Sequence, residues 1–204
     1  MDFITEAQKL AYFVNSLNDF DMQTRSTQTY QHMGAVITDS ILQAGLNYRS
    51  VVAPRVRRLI EQYPKACTTN GFLDAIETYG LNNLLNWNHP EKPKRIYELT
   101  LLFHRYHIDT ESTLKYWLQE PESGKLLLEL KGVGLKTIDY LKMLVGLQSV
   151  AVDRHIRTFV KAAGLTHTRY EDVQQVVEIA ADILALDRNN FDLSIWLYVS
   201  SQQK

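Results

Sequence analysis

The chain has 204 residues, 45% of them hydrophobic, a formal net charge of −1 and one cysteine. That length and apolar share suffice for the core of one domain or of two closely packed lobes. Cys67 alone excludes an intramolecular disulfide and a four-cysteine cluster, and fits a reducing interior as a buried thiol. No stretch approaches ~18 uninterrupted apolar residues, so no membrane span is predicted; the first residues lack a basic region before an apolar one, so no secretory signal is expected.

Apolar residues recur at helical spacing along the chain. Thr5 and Glu6, with Ile4 before them, predict a capped helix start, and Leu10, Phe13, Val14 and Leu17 supply its apolar face. A second helix is predicted over 35–44 from Val36, Ile37, Ile41 and Ala44; Gly45 ends it and Leu46, Asn47 and Tyr48 make a short connection. A third runs from about 50 to 62, with Pro54 in its first turn and Pro64 beyond its end. Phe72, Ile76 and Tyr79, closed by Gly80, predict a fourth, and residues 86–93, with two prolines, a loop. Ile96, Leu99, Phe103 and Tyr106 mark a fifth helix, and Leu114, Trp117 and Leu118 a sixth that begins near Ser112.

Next comes a short helix with Leu126, Leu127, Leu128 and Leu130, a Gly-Val-Gly turn, and a longer helix with Leu135, Ile138, Leu141, Leu144 and Val145. Asp153 opens a helix carrying Ile156, Phe159, Val160 and Ala163, closed by Gly164. Two more hold Val173, Val176, Val177, Ala180 and Leu184, then Phe191, Ile195, Trp196 and Val199. No segment alternates with period two, so the predicted class is all-α.

The near-neutral total hides a segregated charge pattern. Arg49, Arg55, Arg57, Arg58 and Lys65 stand against Glu61 alone, and Lys92, Lys94, Arg95 and Arg105 against Glu98. Lys125, Lys131, Lys136, Lys142, Arg154, Arg157 and Lys161 outnumber Glu129, Asp139 and Asp153, whereas residues 166–192 are mainly acidic. Such a field presents a basic face to nucleic acid; taken singly, each cluster also fits an ordinary solvated helix face.

The turn Lys131-Gly132-Val133-Gly134 sits directly before a helix. Glycine at both positions permits positive φ and leaves backbone N–H groups uncovered, a geometry that holds an anion such as phosphate; a plain helix cap and loop is the other reading. Lys136 lies in the first helical turn, where a cation is disfavoured; partial desolvation in addition would leave a neutral and nucleophilic fraction. A surface lysine paired with phosphate or with Asp139 fits the same position. Asp153 is an ordinary N-cap by type, and a capped carboxylate is also a rigid one that can stabilise cationic character in a sugar.

From about Leu126 to Gly164 the chain resembles the helix-hairpin-helix DNA glycosylase superfamily, whose members carry a leucine-(often proline)-Gly-Val/Ile-Gly-x-Lys turn and then Val-Asp-x-His. The resemblance implies a two-lobed helical architecture, with residues 31–130 as one lobe, 1–30 plus 131–204 as the other, and the hairpin over 125–146. It puts Lys136 on the family's lyase lysine and Asp153 on its catalytic aspartate. Gly132, Val133 and Gly134 fall on its phosphate-gripping hairpin, and Lys131 adds a positive charge near phosphate; Arg154 and His155 can touch DNA phosphate or the active site, and a purely structural role fits them equally.

Such an enzyme flips its target base out of the duplex and fills the gap, and Gln43, Asn47 and Tyr48 are candidate wedge residues. Trp196 and Lys204 lie in a tail similar to that of the short archaeal-type 8-oxoguanine glycosylases, where a tryptophan and a terminal lysine lie near the damaged base; Gly134-Leu135-Lys136-Thr137 looks closer to the endonuclease III branch. The implied activity is excision of a damaged, oxidised base from double-stranded DNA with abasic-site lyase action, by a monomer in the cytoplasm or nucleus. Lys131 stands where proline is usual, Ile138 where a small residue is common, and the iron–sulfur cysteines of endonuclease III are absent. The family also implies a structural monovalent ion at the hairpin. The same hairpin suits a non-catalytic module that binds or senses DNA damage. His104 and His107 share a helix face, but no further ligand completes a metal set nearby.

Overall fold

The computed structural model describes residues 2–24 and 29–202, and among them the regular structure is all helical. In chain order the helices are α1 (Phe3–Ser16), α2 (Met33–Leu42), α3 (Ala53–Gln62), α4 (Thr69–Tyr79), α5 (Leu81–Leu85) and α6 (Glu91–Arg105), then α7 (Glu111–Trp117), α8 (Pro121–Leu128), α9 (Leu135–Leu144), α10 (Arg154–Ala162), α11 (Tyr170–Ile183) and α12 (Arg188–Ser201). A π-helical turn, Tyr48–Val52, precedes α3, and a 3-10 turn, Pro64–Cys67, follows it.

Three local features depart from the sequence pattern. α1 begins before Thr5, because Asp2 is its cap: one carboxylate oxygen accepts from the Ile4 N–H at 3.1 Å and the other from the Thr5 hydroxyl. α6 begins at Glu91, so Lys92 and Pro93 are helical. Proline is tolerated there because first-turn N–H groups have no acceptor within the helix. α5 is too short for periodicity to register; burial of Leu81, Leu84 and Leu85 holds it, and Asn86 ends it in the left-handed region at φ 48°.

The chain divides into two compact units, Gln28–Leu147 and the discontinuous Met1–Thr27 with Gln148–Lys204. In the middle unit, α2 is buried on all sides and contacts α3, α4, α6 and α9. A helix apolar all round belongs at the centre of a core, and Val36, Ile37, Ile41 and Leu42 meet Phe72, Leu99 and Phe103 there. Val133, Ile138, Leu141 and Val145 belong to the same core. The division therefore falls after Leu147 and not after Leu130, and the glycine turn goes with the middle unit. Trp87 and Trp117 pack against this core from its edge.

In the discontinuous unit, Ala7, Leu10, Ala11 and Val14 form one stripe of α1, which lies along α11. α10 packs on α12, and Phe159, Val177, Phe191 and Ile195 close the core.

Cys67, expected in the interior, is exposed; the 3-10 turn after Pro64 gives the buried position to Ala66 instead. Among the described residues no helix is long and apolar enough to cross a membrane.

Candidate functional site

The turn between α8 and α9 is closed by backbone bonds from the Leu130 N–H to the Leu127 carbonyl (3.1 Å) and from the Val133 N–H to the Leu130 carbonyl (3.0 Å). Val133 is buried beneath it, while Lys131, Gly132 and Gly134 face solvent. The two glycines differ. Gly132 has φ +81°, and a Cβ there would lie 2.4 Å from Arg95 Nη1. Gly134 is extended, at φ −125° and ψ −180°, and a Cβ there would meet nothing within 4 Å. Positive φ, expected at both, is needed only at Gly132. Gly134 is instead the N-cap of α9, and it has no side chain to accept from the first turn of that helix.

Lys136 lies in this first turn, half-buried, and its Nζ donates to Gln43 Oε1 at 2.8 Å. Gln43 caps the far end of α2, 93 positions away in sequence. Asp139, the local partner expected for Lys136, accepts from Lys142 at 2.9 Å.

One helical turn from each of these residues, Tyr140 on α9 meets Asp39 on α2 at 3.4 Å. The Tyr30 hydroxyl donates to the same carboxylate at 2.7 Å and lies 3.2 Å from the Tyr48 hydroxyl. Burial pushes the Asp39 carboxyl up to about 6, against the pull of the two tyrosine hydrogen bonds. Burial, then the Asp39 charge, pushes the Tyr30 phenol upward as well. α2 and α9 are thus joined by two successive polar rungs, Gln43 to Lys136 and Asp39 to Tyr140. Of the other wedge candidates, exposed Asn47 caps the π turn, accepting from the Ser50 N–H at 3.0 Å and its hydroxyl at 2.9 Å. Tyr48 is half-buried against the core.

In the discontinuous unit, Asp153 is the N-cap of α10. Its Oδ1 accepts from the His155 N–H at 2.7 Å and the Ile156 N–H at 3.1 Å, and its Oδ2 lies 2.9 Å from His155 Nδ1. His155 is only 6% exposed, so its ring orients the carboxylate and does not face solvent. The ring also lies edge-on to half-buried Trp196, with centroids 5.8 Å apart. Arg154 is exposed. Lys204 lies outside the described residues.

Sequence reasoning missed four residues here. Asp39 was the detectable one, a carboxylate within the apolar run of α2, while Tyr30 and Tyr140 left no signal of their own. Lys92 counted only as one of a basic cluster, yet its Nζ donates to the carbonyls of Ile41 (2.7 Å) and Ala44 (2.8 Å). His104 is hydrogen-bonded to Asn70 at 2.7 Å, and among the described residues no group of three His, Cys, Asp or Glu is placed to hold a metal.

Taken together, these features define an all-helical protein with a glycine turn, a half-buried amine behind it and a capped carboxylate in its other unit. The chain belongs to the family described as "Domain of unknown function (DUF8548)", whose family model matches residues 8–200. No curated protein and no solved structure matches it.

Proposed function

We propose that this protein is a base-excision repair DNA glycosylase with abasic-site lyase activity, acting on an oxidised base in double-stranded DNA through a two-lobed, helix-hairpin-helix architecture. The observation that carries the reading is the setting of Lys136. Its amine is half-buried, follows an uncapped glycine turn and is held by a neutral amide oxygen. A nucleophilic amine must shed a proton. A carboxylate partner opposes that loss, whereas a carboxamide leaves no unpaired charge behind.

In this reading the turn's free N–H groups and Lys131 grip backbone phosphate. Lys136 Nζ attacks C1′ of the flipped nucleotide; the glycosidic bond breaks and its electron pair leaves with the base, which takes up a proton. Loss of a proton from nitrogen and opening of the sugar ring give a Schiff base. Abstraction of a C2′ proton then expels the 3′ phosphate and nicks the strand. The carboxylate assigned to the reading is Asp153, held by three donors and suited to stabilising developing positive charge. Among the described residues no N–H is directed at the carbonyls of Lys131, Gly132 and Val133, so the turn has oxygens that fit a monovalent ion. No step passes through that ion.

Borohydride reduction in the presence of duplexes carrying abasic sites or oxidised bases tests the reading. A covalent protein–DNA adduct is expected from the natural protein and none from Lys136→Ala. An adduct that survives the substitution, or no adduct with any lesion, contradicts it. The full engagement of Asp153 by its own helix favours a second reading, a non-catalytic DNA-binding module, which retains duplex affinity and gives no adduct.

A further inference from the structure

Among the described residues of the middle unit, every half-buried lysine or arginine but one directs an N–H group at an oxygen of its own chain. Arg55 and Arg58 donate to the carbonyls of Val51 and Leu84, Lys92 to those of Ile41 and Ala44, and Lys115 to that of Gly146; Lys136 and Lys142 donate to Gln43 and Asp139. The exception is Arg95. Its guanidinium donates no hydrogen bond to any described residue, and its Nε is buried without a partner. The carboxylate of Glu91 stands 3.7 Å from its Nη2, beyond hydrogen-bond length.

Arg95 instead lies against the glycine turn. A Cβ at Gly132 would lie 2.4 Å from Nη1, 2.5 Å from Cζ and 2.8 Å from Nε, so the flat guanidinium covers the face that any other residue would fill. Lys131 is exposed on the same turn, and the N–H groups of Leu135 and Lys136 just beyond it have no acceptor among the described residues. The neighbouring Lys92 ammonium, pushed down to about 8 by burial, then by Arg95 and then by Lys136, registers the same excess of positive charge.

The geometry points to Arg95 as a DNA-binding residue that grips a backbone phosphate together with the glycine turn. A guanidinium presents parallel N–H groups to two oxygens of one phosphate, and it stays charged across the pH range of proteins. It therefore fixes where the phosphate sits, whereas Lys131, a point charge on a flexible stem, adds attraction without a fixed geometry. Glycine at 132 then has a second reason besides its φ of +81°, because a side chain there would displace the guanidinium. The inference rests on the reading of the turn as a phosphate grip and needs no chemistry at Lys136.

Two measurements on the full chain test this. The first is fluorescence anisotropy with a duplex that carries a tetrahydrofuran abasic-site analogue. Arg95→Met keeps an apolar stem over Gly132 and removes the charge. It should weaken binding by about 10-fold, the range of a lost charge-assisted hydrogen bond, and lower the salt slope by about one phosphate contact, with the thermal midpoint retained. Arg95→Lys should keep the slope and recover only part of the affinity. Affinity and slope unchanged in Arg95→Met overturn the inference. The second measurement, nuclear magnetic resonance of isotope-labelled arginine, reads the natural protein. The Arg95 Nε–H signal, assigned from its loss in Arg95→Lys, should shift when the duplex is added. No shift overturns the inference; so does a shift with inorganic phosphate and none with duplex, which assigns the guanidinium to a free anion. Duplex binding that depends on Arg95 without a borohydride adduct sinks the lyase reading and leaves the grip intact. An adduct with duplex affinity indifferent to Arg95 does the reverse.

Discussion

Lys136 and Asp153 are held in opposite ways. The amine of Lys136 is fixed by Gln43, 93 positions away, and the rung beneath it joins residues 101 positions apart. The carboxylate of Asp153 is fixed by residues two and three positions along the same chain segment. The first therefore depends on the packing of the middle unit around α2, whereas the second forms wherever α10 forms. A fault in the middle unit displaces Lys136 and leaves Asp153 capped; a fault at α10 does the reverse.

The largest expected effect comes from separating the two roles of Asp153. Asp153→Asn keeps an acceptor for the α10 N–H groups and removes the negative charge. Base removal should slow by about 100- to 1000-fold with duplex affinity retained. A single-turnover rate within about threefold of the natural one would leave Asp153 as a helix cap only.

Next is the buried carboxylate of the middle unit. The folded Asp39 pKa, raised to about 6, lies above its value of about 3.9 in the unfolded chain. The folded state therefore binds the proton more tightly. The associated stability is complete below the unfolded value and is lost as pH rises through the folded one. Relative to Asp39→Asn, the natural protein should lose about 2–3 kcal/mol between pH of about 4 and 6. Denaturant midpoints of the two proteins that run parallel across this window would contradict the burial of an ionisable group there.

The smallest effects separate the two glycines. Gly132→Ala forces a Cβ into the left-handed region and against Arg95, and should cost about 1–3 kcal/mol in thermal unfolding. Gly134→Ala meets open space in extended backbone and should change stability by less than about 0.5 kcal/mol. Equal losses at the two positions would overturn the turn geometry.

The same contrast explains what could be read from the sequence. Asp153, the glycine turn and most helices depend on local chemistry, such as caps, prolines and periodic apolar residues, and those are visible in one dimension. α5 and the start of α6 were hidden, because the first depends on three buried leucines in a short segment and the second on a proline tolerated in a first turn. Assigning the glycine turn to the middle unit needed the core itself, since Val133 and Ile138 show apolar character and not the partner they pack against. Gln43 and Asp39 meet Lys136 and Tyr140, and Lys92 reaches the carbonyls at the end of α2, only through the packing of α2 against α9 and α6. Nothing in their spacing announces that.

The most direct test is to locate the attachment site. After borohydride reduction of the natural protein on an abasic duplex, digestion and mass spectrometry should find the reduced sugar remnant on the Nζ of Lys136. A remnant on Lys92, Lys131 or any other amine, with Lys136 unmodified, would contradict the assignment of the nucleophile.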